Sequence, residues 1–424
     1  MPSIIAGLVV ALASFVLVRR RHPAPVAFLA MALCLVGGLY PFALDARPYA
    51  CVSACFALAL VLWDLPPDRD PPPWRAVLML LLLVAAVGLH FYAVLLAASV
   101  GAMELAWTAA HRRIRFLYLA APAVACLSVL LWLPIMRHVL AFNRGDVAAP
   151  EFYGRPLPAR LVLAYVEVMV GHRPVWVSPM ILLLLVLIAR RIIAARAKVS
   201  PPQPRRAPDN LDIIAAVTCA LPLAGYLVTL VAVHTFNTRY VIAAALGFAI
   251  LIARYVASLP RAPLLCCALL VISAGLMIMP DTWAASARQR ERVLALVRAA
   301  PPGLSIATGN GLRFLEIREG AGAAIARRLV FVKAPPGIAS PDPTNQHILE
   351  RWKTVLPDLP VVSTGAFMRA HRRFLVFSDE SAVDLLPAWL AQHGYRLDIL
   401  ARAGDAWLSE AQEGAASERL SRAR

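Results

Sequence analysis

The sequence predicts a polytopic α-helical membrane protein of about 10 transmembrane helices, with a small C-terminal α/β domain outside the cytoplasm. Sixty per cent of the 424 residues are hydrophobic and the mean hydropathy is +0.68, well above the values of a soluble domain. Apolar runs of about 17–25 residues, long enough to cross the hydrocarbon core as a helix, recur along residues 1–280. They are absent from residues 281–424, which therefore form a second domain.

Ten apolar runs are the predicted spans. They lie at about 3–18, 26–44, 49–63, 76–89, 92–108, 116–136, 177–195, 212–233, 240–257 and 263–280. Alternate connections between them are basic, at 19–22, 64–75, 110–115, 190–210 and 254–263. Because arginine-rich loops stay in the cytoplasm, these connections are predicted to share the cytoplasmic face. The remaining connections and the C-terminal domain then fall on the outer face.

The charge of the chain follows from this topology. A net charge of +17 would also suit a nucleic-acid-binding protein. Many of the arginines cluster in the short loops, as membrane topology requires, so no nucleic-acid partner is expected. The seven cysteines lie in or beside apolar runs and show neither a disulfide framework nor zinc-ligand spacing.

Residues 281–424 alternate strand and helix patterns, which predicts a small α/β domain. The runs that indicate strands lie at 304–310, 327–334, 359–363, 372–379, 396–404 and 406–411, with a helix pattern at 381–395. Gly309 lies near the end of the first of these runs and Gly311 directly follows it. This pair lacks the full dinucleotide-binding fingerprint and is more typical of a turn.

The stretch "DARPY", residues 45–49, places two charges between two predicted spans. Pro48 suits the first position of a helix, so Arg47 would stand at a helix N-terminus, where an anion is favoured. The arginine fork fits a phosphate, and Asp45 would accept a proton, bind a metal or hold a sugar hydroxyl. An interfacial Asp–Arg pair anchored by Tyr49 explains the same residues, and both readings stay open.

Two further polar groups fall on the predicted outer face. "GLHFYAVLL" contributes His90 and Tyr92, and "FNTRYVIAAAL" contributes Arg239 and Tyr240. Each by itself also fits a turn with interfacial aromatic residues or a snorkelling arginine. Three such clusters on one face favour a site, because polar groups at the membrane border usually mark one. The long connection at 137–176 is typical of functional loops, and 161–173 predicts an interfacial helix.

Taken together, "LDARPYA", "GLHFYAVLL" and "TRYVIAAALGFAILIA" resemble the polytopic lipid-linked-sugar glycosyltransferases of the GT-C type. Within that group the stretches resemble bacterial enzymes similar to protein O-mannosyltransferases, the aminoarabinose transferase of lipid A and the rhizobial core-sugar transferases. The tail, with "RRLVFVKAPPG" and "FMRAHRRFLVFSD", also resembles the external domain of some bacterial members.

The resemblance implies transfer of a sugar, with inversion, from a polyprenyl-phosphate donor to a glycan, lipid or protein acceptor. The reaction would take place on the outer face of a bacterial inner membrane, with membrane lipid around the site. By resemblance Asp45 would be catalytic and bind sugar, a divalent cation or the acceptor. The residues implied in donor-phosphate or substrate binding are Arg47, Tyr49, His90, Tyr92, Arg239 and Tyr240. The resemblance identifies no metal site.

The chain also departs from this family. Its members begin with one more span and an external loop whose acidic residue is the favoured general base. That base has no counterpart here, and Met1 is predicted to face outside, so we expect one span and this loop to be missing before Met1. A catalytically inactive or partner-dependent membrane subunit and a lipid or sugar transporter are therefore alternatives. Transport predicts polar residues in the middle of several spans, and they are few here.

Overall fold

We describe the protein from a computed structural model. It describes residues 2–44, 48–65, 72–137, 156–171, 208–233, 235–259, 261–278, 282–334, 343–379 and 384–414. The predicted span at 177–195, together with Asp45 and Arg47, lies outside these ranges. Two compact units are present, the first built from Met1–Asn143 and Gly154–Met279 and the second from Pro280 onward.

The described part of the first unit is helical. Its helices are α1 (Pro2–Arg19), α2 (Ala24–Val36), α3 (Leu39–Leu44), α4 (Tyr49–Trp63), α5 (Pro73–Leu89), α6 (Val94–His111), α7 (Phe116–Leu127), α8 (Pro158–Val170), α9 (Asn210–Cys219), α10 (Leu221–Val228), α11 (Ala244–Ala257) and α12 (Ala262–Ile278). Short 3-10 turns lie at Phe91–Ala93 and Thr238–Tyr240. Helices occupy every predicted span position within the described ranges.

Three helical segments in these ranges are long and apolar enough to cross a membrane, namely Pro2–Arg19, Phe91–His111 and Phe116–Arg137. The pair α9 and α10, bent by 41° at a short break, gives a fourth if it is counted as one span. The other apolar helices have 10–17 residues, fewer than the roughly 20 that the hydrocarbon core requires. The structure therefore supports a helical, membrane-associated unit, and ten spans exceed what its helix lengths show.

The apolar run predicted as a single span at 26–44 is broken. α2 ends at Val36 and α3 begins at Leu39, with Gly37 and Gly38 between them. The Gly38 N–H donates to the carbonyl of Val168 in α8 at 3.0 Å, and a Cβ on Gly38 would lie 2.4 Å from the carbonyl oxygen of Glu167. Only glycine permits this backbone approach. The continuous apolar pattern hid the break, although the glycine pair is its local signal.

Residues from four of the basic connections meet in one ion-pair network. Arg21 contacts Asp64 through Nη2 at 2.6 Å and Asp209 through Nε at 2.7 Å. Arg20 reaches the same Asp64 at 3.0 Å, and Arg254 reaches Asp209 at 3.3 Å. The Asp64 side chain is fully buried, so its charge depends on these partners. Residues that loop composition assigned to one face thus lie together in the structure.

The second unit contains a six-stranded sheet. Its strands are β1 (Ile306–Thr308), β2 (Leu329–Val332), β3 (Val361–Val362), β4 (Arg373–Asp379), β5 (Tyr395–Ala403) and β6 (Ala406–Glu413), in the order β3-β2-β1-β4-β6-β5. The pairings among β1, β2, β3 and β4 are parallel, and β6 pairs antiparallel with both β4 and β5. Each strand overlaps one of the six predicted runs, which confirms the small C-terminal sheet.

Helices cover both faces of this sheet. They are α13 (Thr282–Arg298), α14 (Gly311–Gly320), α15 (Ala323–Ala326), α16 (Pro343–Val355), α17 (Thr364–Ala370) and α18 (Leu386–Gln392). Leu375 and Phe377 of β4 pack into the core that α13 and α14 share, whereas Phe374 and Val376 pack toward α17 and α18. Successive side chains of a strand point to opposite faces, so a strand buried on both sides reads as a continuous apolar run.

Candidate functional site

Five of the predicted site residues come together in the first unit. They form what we call the tyrosine–arginine cluster, which consists of Tyr49, His90, Tyr92, Arg239 and Tyr240. Their sequence positions span three predicted outer connections. Tyr49 opens α4, directly after Pro48, whose backbone is the helix N-cap. The expected helix start at Pro48 is therefore found within one residue.

The other members lie on two 3-10 turns that are built alike. In the first, His90 caps the turn Phe91–Ala93, and its Nδ1 accepts the N–H of Tyr92 at 3.3 Å. In the second, Asn237 caps the turn Thr238–Tyr240, and its Oδ1 accepts the N–H of Arg239 at 3.2 Å. A polar side chain two residues earlier thus replaces the missing helical partner in each turn. Both turns are fixed locally by their own sequence.

Ring stacking joins the two turns. The rings of Tyr92 and Tyr240 are parallel within 7°, and their centroids are 3.9 Å apart. The Tyr92 hydroxyl donates to the carbonyl of Thr235 at 3.1 Å, which ties the segment before α6 to the segment before α11. The ring of His90 lies 5.2 Å from that of Tyr49 and 5.5 Å from that of Tyr240. Offset and tilted aromatic pairs at such distances stabilise a fixed arrangement.

Arg239 brings a positive charge to these rings. Its guanidinium carbon lies 5.7 Å from the ring centroid of Tyr49 and 5.3 Å from that of Tyr240. Its Nη2 also donates to the Tyr240 hydroxyl at 3.4 Å. Cation–π attraction acts within about 6 Å and positions the guanidinium. The cluster therefore places an arginine beside aromatic surfaces.

The arrangement suits a ligand that combines an anion with a ring. Within the cluster Tyr49 and Tyr92 are buried, while His90, Arg239 and Tyr240 are partly exposed. Because His90 Nδ1 accepts a hydrogen bond, the neutral imidazole carries its proton on Nε2 and is a donor there. None of the five side chains is a carboxylate, and in this tautomer neither ring nitrogen of His90 is free to take a proton, so a general base has to come from another residue. Asp45 is the sequence candidate for that role.

The remaining predicted residues are not all described. Asp45 and Arg47 lie outside the described residues; in sequence they directly precede Pro48. Most of the 137–176 connection lies outside as well, but α8 covers the predicted interfacial helix and buries Ala164 and Val168 in the core of the first unit. Among the residues that the structure describes, no group of three or more metal-ligating side chains is present.

Several residues that position the cluster were not predicted from the sequence. Phe42 packs edge-on against Tyr49 with ring centroids 5.9 Å apart. Asn237 caps the second turn, and the carbonyl of Thr235 anchors Tyr92. Asn237 had a local signal, because a polar residue two positions before Arg239 is typical of a cap. The Thr235 carbonyl had none, since a backbone acceptor is invisible in sequence.

The cluster and the ion-pair network lie at opposite ends of the same helix. Tyr49 is the first residue of α4, and Asp64 directly follows its last residue, Trp63. At about 1.5 Å per residue the helix separates them by roughly 22 Å. Helix α5 also has polar groups at both ends. It begins at Pro73, beside a basic connection, and ends at Leu89, next to His90. The polar groups that were predicted to lie on opposite membrane faces are thus found at opposite ends of α4 and α5.

Comparison with known proteins gives no family assignment, because no family model, no curated protein and no solved structure matches this chain significantly.

Proposed function

We propose that this protein is a membrane glycosyltransferase that moves a sugar from a polyprenyl-phosphate donor to an envelope acceptor. The reaction takes place on the outer face of a bacterial inner membrane, and the acceptor is a glycan, a lipid or a protein. This proposal rests on the resemblance of three sequence stretches to lipid-linked-sugar glycosyltransferases. The geometry of the tyrosine–arginine cluster supports it.

One observation carries the proposal. Five residues selected from three separate outer connections converge into one cluster, although Tyr92 and Thr235, which it links, are 143 positions apart in sequence. Independent interfacial anchors would have no reason to stack on one another. A guanidinium flanked by tyrosine rings offers a phosphate partner and flat surfaces on which a sugar ring can pack.

Each group of residues has its own role in the proposed reaction. Arg239, with Arg47, binds the phosphate that leaves with the polyprenyl chain and stabilises its developing charge. The tyrosine rings hold the sugar. The acceptor hydroxyl attacks the anomeric carbon, the bond from that carbon to the phosphate oxygen breaks, and configuration inverts. Because the family's first-loop base has no counterpart in this chain, Asp45 either takes the hydroxyl proton in its place or binds the sugar or the acceptor while another group takes the proton.

The proposal includes the ten-span topology and an extracytoplasmic second unit. The polar ends of α4 and α5 support it, since each helix carries the ion-pair network or a basic connection at one end and the cluster at the other. Helices shorter than the hydrocarbon thickness are accommodated by local thinning and by snorkelling of flanking residues. Cysteine accessibility at positions in the connections would establish which ends face outward.

Complementation of a deletion strain tests the function. Envelope glycans and lipids of the deletion strain are profiled by mass spectrometry, and a missing sugar identifies the product. We expect the full chain to restore it and Arg239→Gln to reduce restoration about a hundredfold, the usual cost of losing one charge-stabilising group. Arg239→Lys should retain only part of the activity. It keeps the positive charge but loses the planar guanidinium that can bind a phosphate through two hydrogen bonds.

A matched control removes the same charge elsewhere. Arg261 is exposed and lies in a predicted cytoplasmic connection, so Arg261→Gln should restore the product fully. The function is wrong if deletion leaves every envelope glycan and glycolipid unchanged, or if Arg239→Gln and Arg261→Gln restore equally. In purified protein, undecaprenyl phosphate should bind more tightly than undecaprenol, and Arg239→Gln should remove that difference.

The bent pair α9 and α10 favours a second candidate, which is transport of a lipid or a sugar. Broken helices near the membrane centre often line substrate paths, and the buried Thr218 hydroxyl close to this break has no hydrogen-bond partner among the described residues. Uptake of a labelled sugar or lipid by proteoliposomes containing the chain, without any new glycosidic bond, would favour this candidate over transfer.

A further inference from the structure

A second polar cluster lies at the other end of the first unit, where the basic connection 110–115 joins α6 to α7. We call it the tryptophan–arginine cluster. It comprises Trp107, Arg115 and Tyr118, with Glu104 beside them, and Arg75, which interacts electrostatically with Tyr118. α6 and α7 belong to two of the segments that are long and apolar enough to cross a membrane. Loop charge predicts that this end faces the cytoplasm.

Glu104 and Arg115 neutralise each other. Glu104 is fully buried and accepts hydrogen bonds from Arg115 Nε at 2.9 Å, from Arg115 Nη2 and from Trp63 Nε1 at 2.8 Å. The guanidinium carbon of Arg115 lies over two rings, 3.8 Å from the ring centroid of Trp107 and 5.0 Å from that of Tyr118. This pair therefore orients the cluster without adding net charge to it.

Three polar atoms around this pair lack an acceptor. Within the described part of the chain, Arg75 Nη1, Trp107 Nε1 and the Tyr118 hydroxyl are buried and make no hydrogen bond. Trp107 is 2% exposed and Tyr118 is 1% exposed. Buried donors without partners are costly and rare in native proteins. Two of the three atoms can only donate, and Arg75 adds a charge that Glu104 does not balance, so an anion with several acceptor oxygens would suit them.

The rim of the cluster resembles a lipid-facing surface. Trp74, Phe116 and Leu117 are large apolar residues that are 56%, 75% and 55% exposed. Arg112 and Arg113 in the same turn are also exposed. A soluble anion gains nothing from the apolar rim, whereas a phospholipid places its acyl chains there and its headgroup near the arginines. Basic pockets between spans on the cytoplasmic side commonly bind anionic headgroups.

We propose that the tryptophan–arginine cluster binds the phosphate of an anionic phospholipid of the cytoplasmic leaflet. The phosphate oxygens accept hydrogen bonds from Arg75, Trp107 and Tyr118, and the acyl chains lie against Trp74 and Phe116. No covalent step is involved. The site is separate from the tyrosine–arginine cluster, because the two lie at opposite ends of α6, where Tyr92 precedes the helix and Trp107 is near its end.

Lipid binding to the full chain in a neutral detergent tests this site. Native mass spectrometry is used to titrate phosphatidylglycerol, phosphatidylcholine or inorganic phosphate into the purified protein. We expect phosphatidylglycerol to bind more tightly than phosphatidylcholine. Tyr118→Phe, which keeps its ring, and Trp107→Phe, which keeps a smaller aromatic ring, each remove one donor and should weaken phosphatidylglycerol binding about tenfold. Arg75→Gln should weaken it at least as much.

Three controls accompany this test. Arg261→Gln removes an exposed arginine from another predicted cytoplasmic connection and should leave the affinity unchanged. The melting temperature of Tyr118→Phe without lipid should not fall, because its hydroxyl has no partner to lose. Arg239→Gln should also bind phosphatidylglycerol normally, so this result is independent of the proposed transferase.

Three outcomes would overturn the proposal. One is equal phosphatidylglycerol binding by the unmodified chain and Tyr118→Phe. Another is equal binding of phosphatidylglycerol and phosphatidylcholine by the unmodified chain. The third is inorganic phosphate that displaces phosphatidylglycerol at equal concentration, which would identify the ligand as a free anion rather than a lipid.

Discussion

Loss of Arg115 should destabilise the first unit more than loss of Arg115 and its partner Glu104 together. The Glu104 side chain is fully buried and that of Arg115 is 8% exposed. In Arg115→Met the carboxylate keeps only the donor Trp63 Nε1. Breaking a buried ion pair by removing one partner costs about 3–5 kcal/mol, because an uncompensated charge remains.

The double variant separates the charge from the packing. Glu104→Gln alone keeps an oxygen acceptor for Trp63 and leaves Arg115, so we expect a cost of about 1.5–3 kcal/mol, the value of a hydrogen bond to a charged group. In Glu104→Gln/Arg115→Met no buried charge is left, and replacing a whole ion pair is often close to neutral. The two single costs should therefore exceed the double cost by about 2 kcal/mol or more.

Thermal unfolding in a neutral detergent without added lipid measures these differences. A domain of this size loses about 2–4 °C of Tm per kcal/mol, so Arg115→Met should lower Tm by roughly 10 °C and the double variant by clearly less. Arg112→Met, at an exposed site three residues earlier, is the matched control and should change Tm little. Additive single and double effects, or equal shifts for Arg115→Met and Arg112→Met, would refute the reasoning.

Two further predictions concern other parts of the chain. Burial raises the pKa of Asp384 from its ordinary 3.8 to about 7, so between these pH values the native second unit keeps a proton that the unfolded chain releases. The stability of the second unit should therefore fall by up to about 4 kcal/mol as pH rises from about 4 to about 7. Hydrogen exchange of β4 in the full chain measures this fall, and an equal dependence of stability on pH in Asp384→Asn would contradict the prediction. Gly38→Ala places a Cβ 2.4 Å from the Glu167 carbonyl oxygen, which is a backbone atom, so Tm should fall by several degrees. Gly88→Ala is the matched control. Because nothing lies within 4 Å of a Cβ at that position, this variant should leave Tm unchanged or raise it.

Much of the fold was readable from local sequence because its elements depend on local patterns. The six strands lie where short apolar runs predicted them, since a strand buried on both faces needs only a few consecutive apolar residues. Helices occupy the predicted span positions that the structure describes. The break at Gly37 and Gly38 was missed, because hydropathy does not show that the backbone of α8 approaches there.

The candidate site was partly readable for a different reason. His90 and Arg239 were predicted as site residues because polar residues beside apolar runs are energetically costly and usually have a function. Loop charge grouped them on one face. Nothing local could show that Tyr92 stacks on Tyr240, or that the Tyr118 hydroxyl is buried without an acceptor.

The sequence alone determined the helical, apolar character of the first unit, the approximate positions of the helices and strands in the described ranges, and the grouping of the charged connections. Each of these follows from hydrophobicity, periodicity or charge within a short window. Only the tertiary structure decided the strand order β3-β2-β1-β4-β6-β5 and the pairing of Arg21 with Asp209, 188 positions away. Such contacts depend on how whole elements pack, and that packing is a collective property of the folded chain.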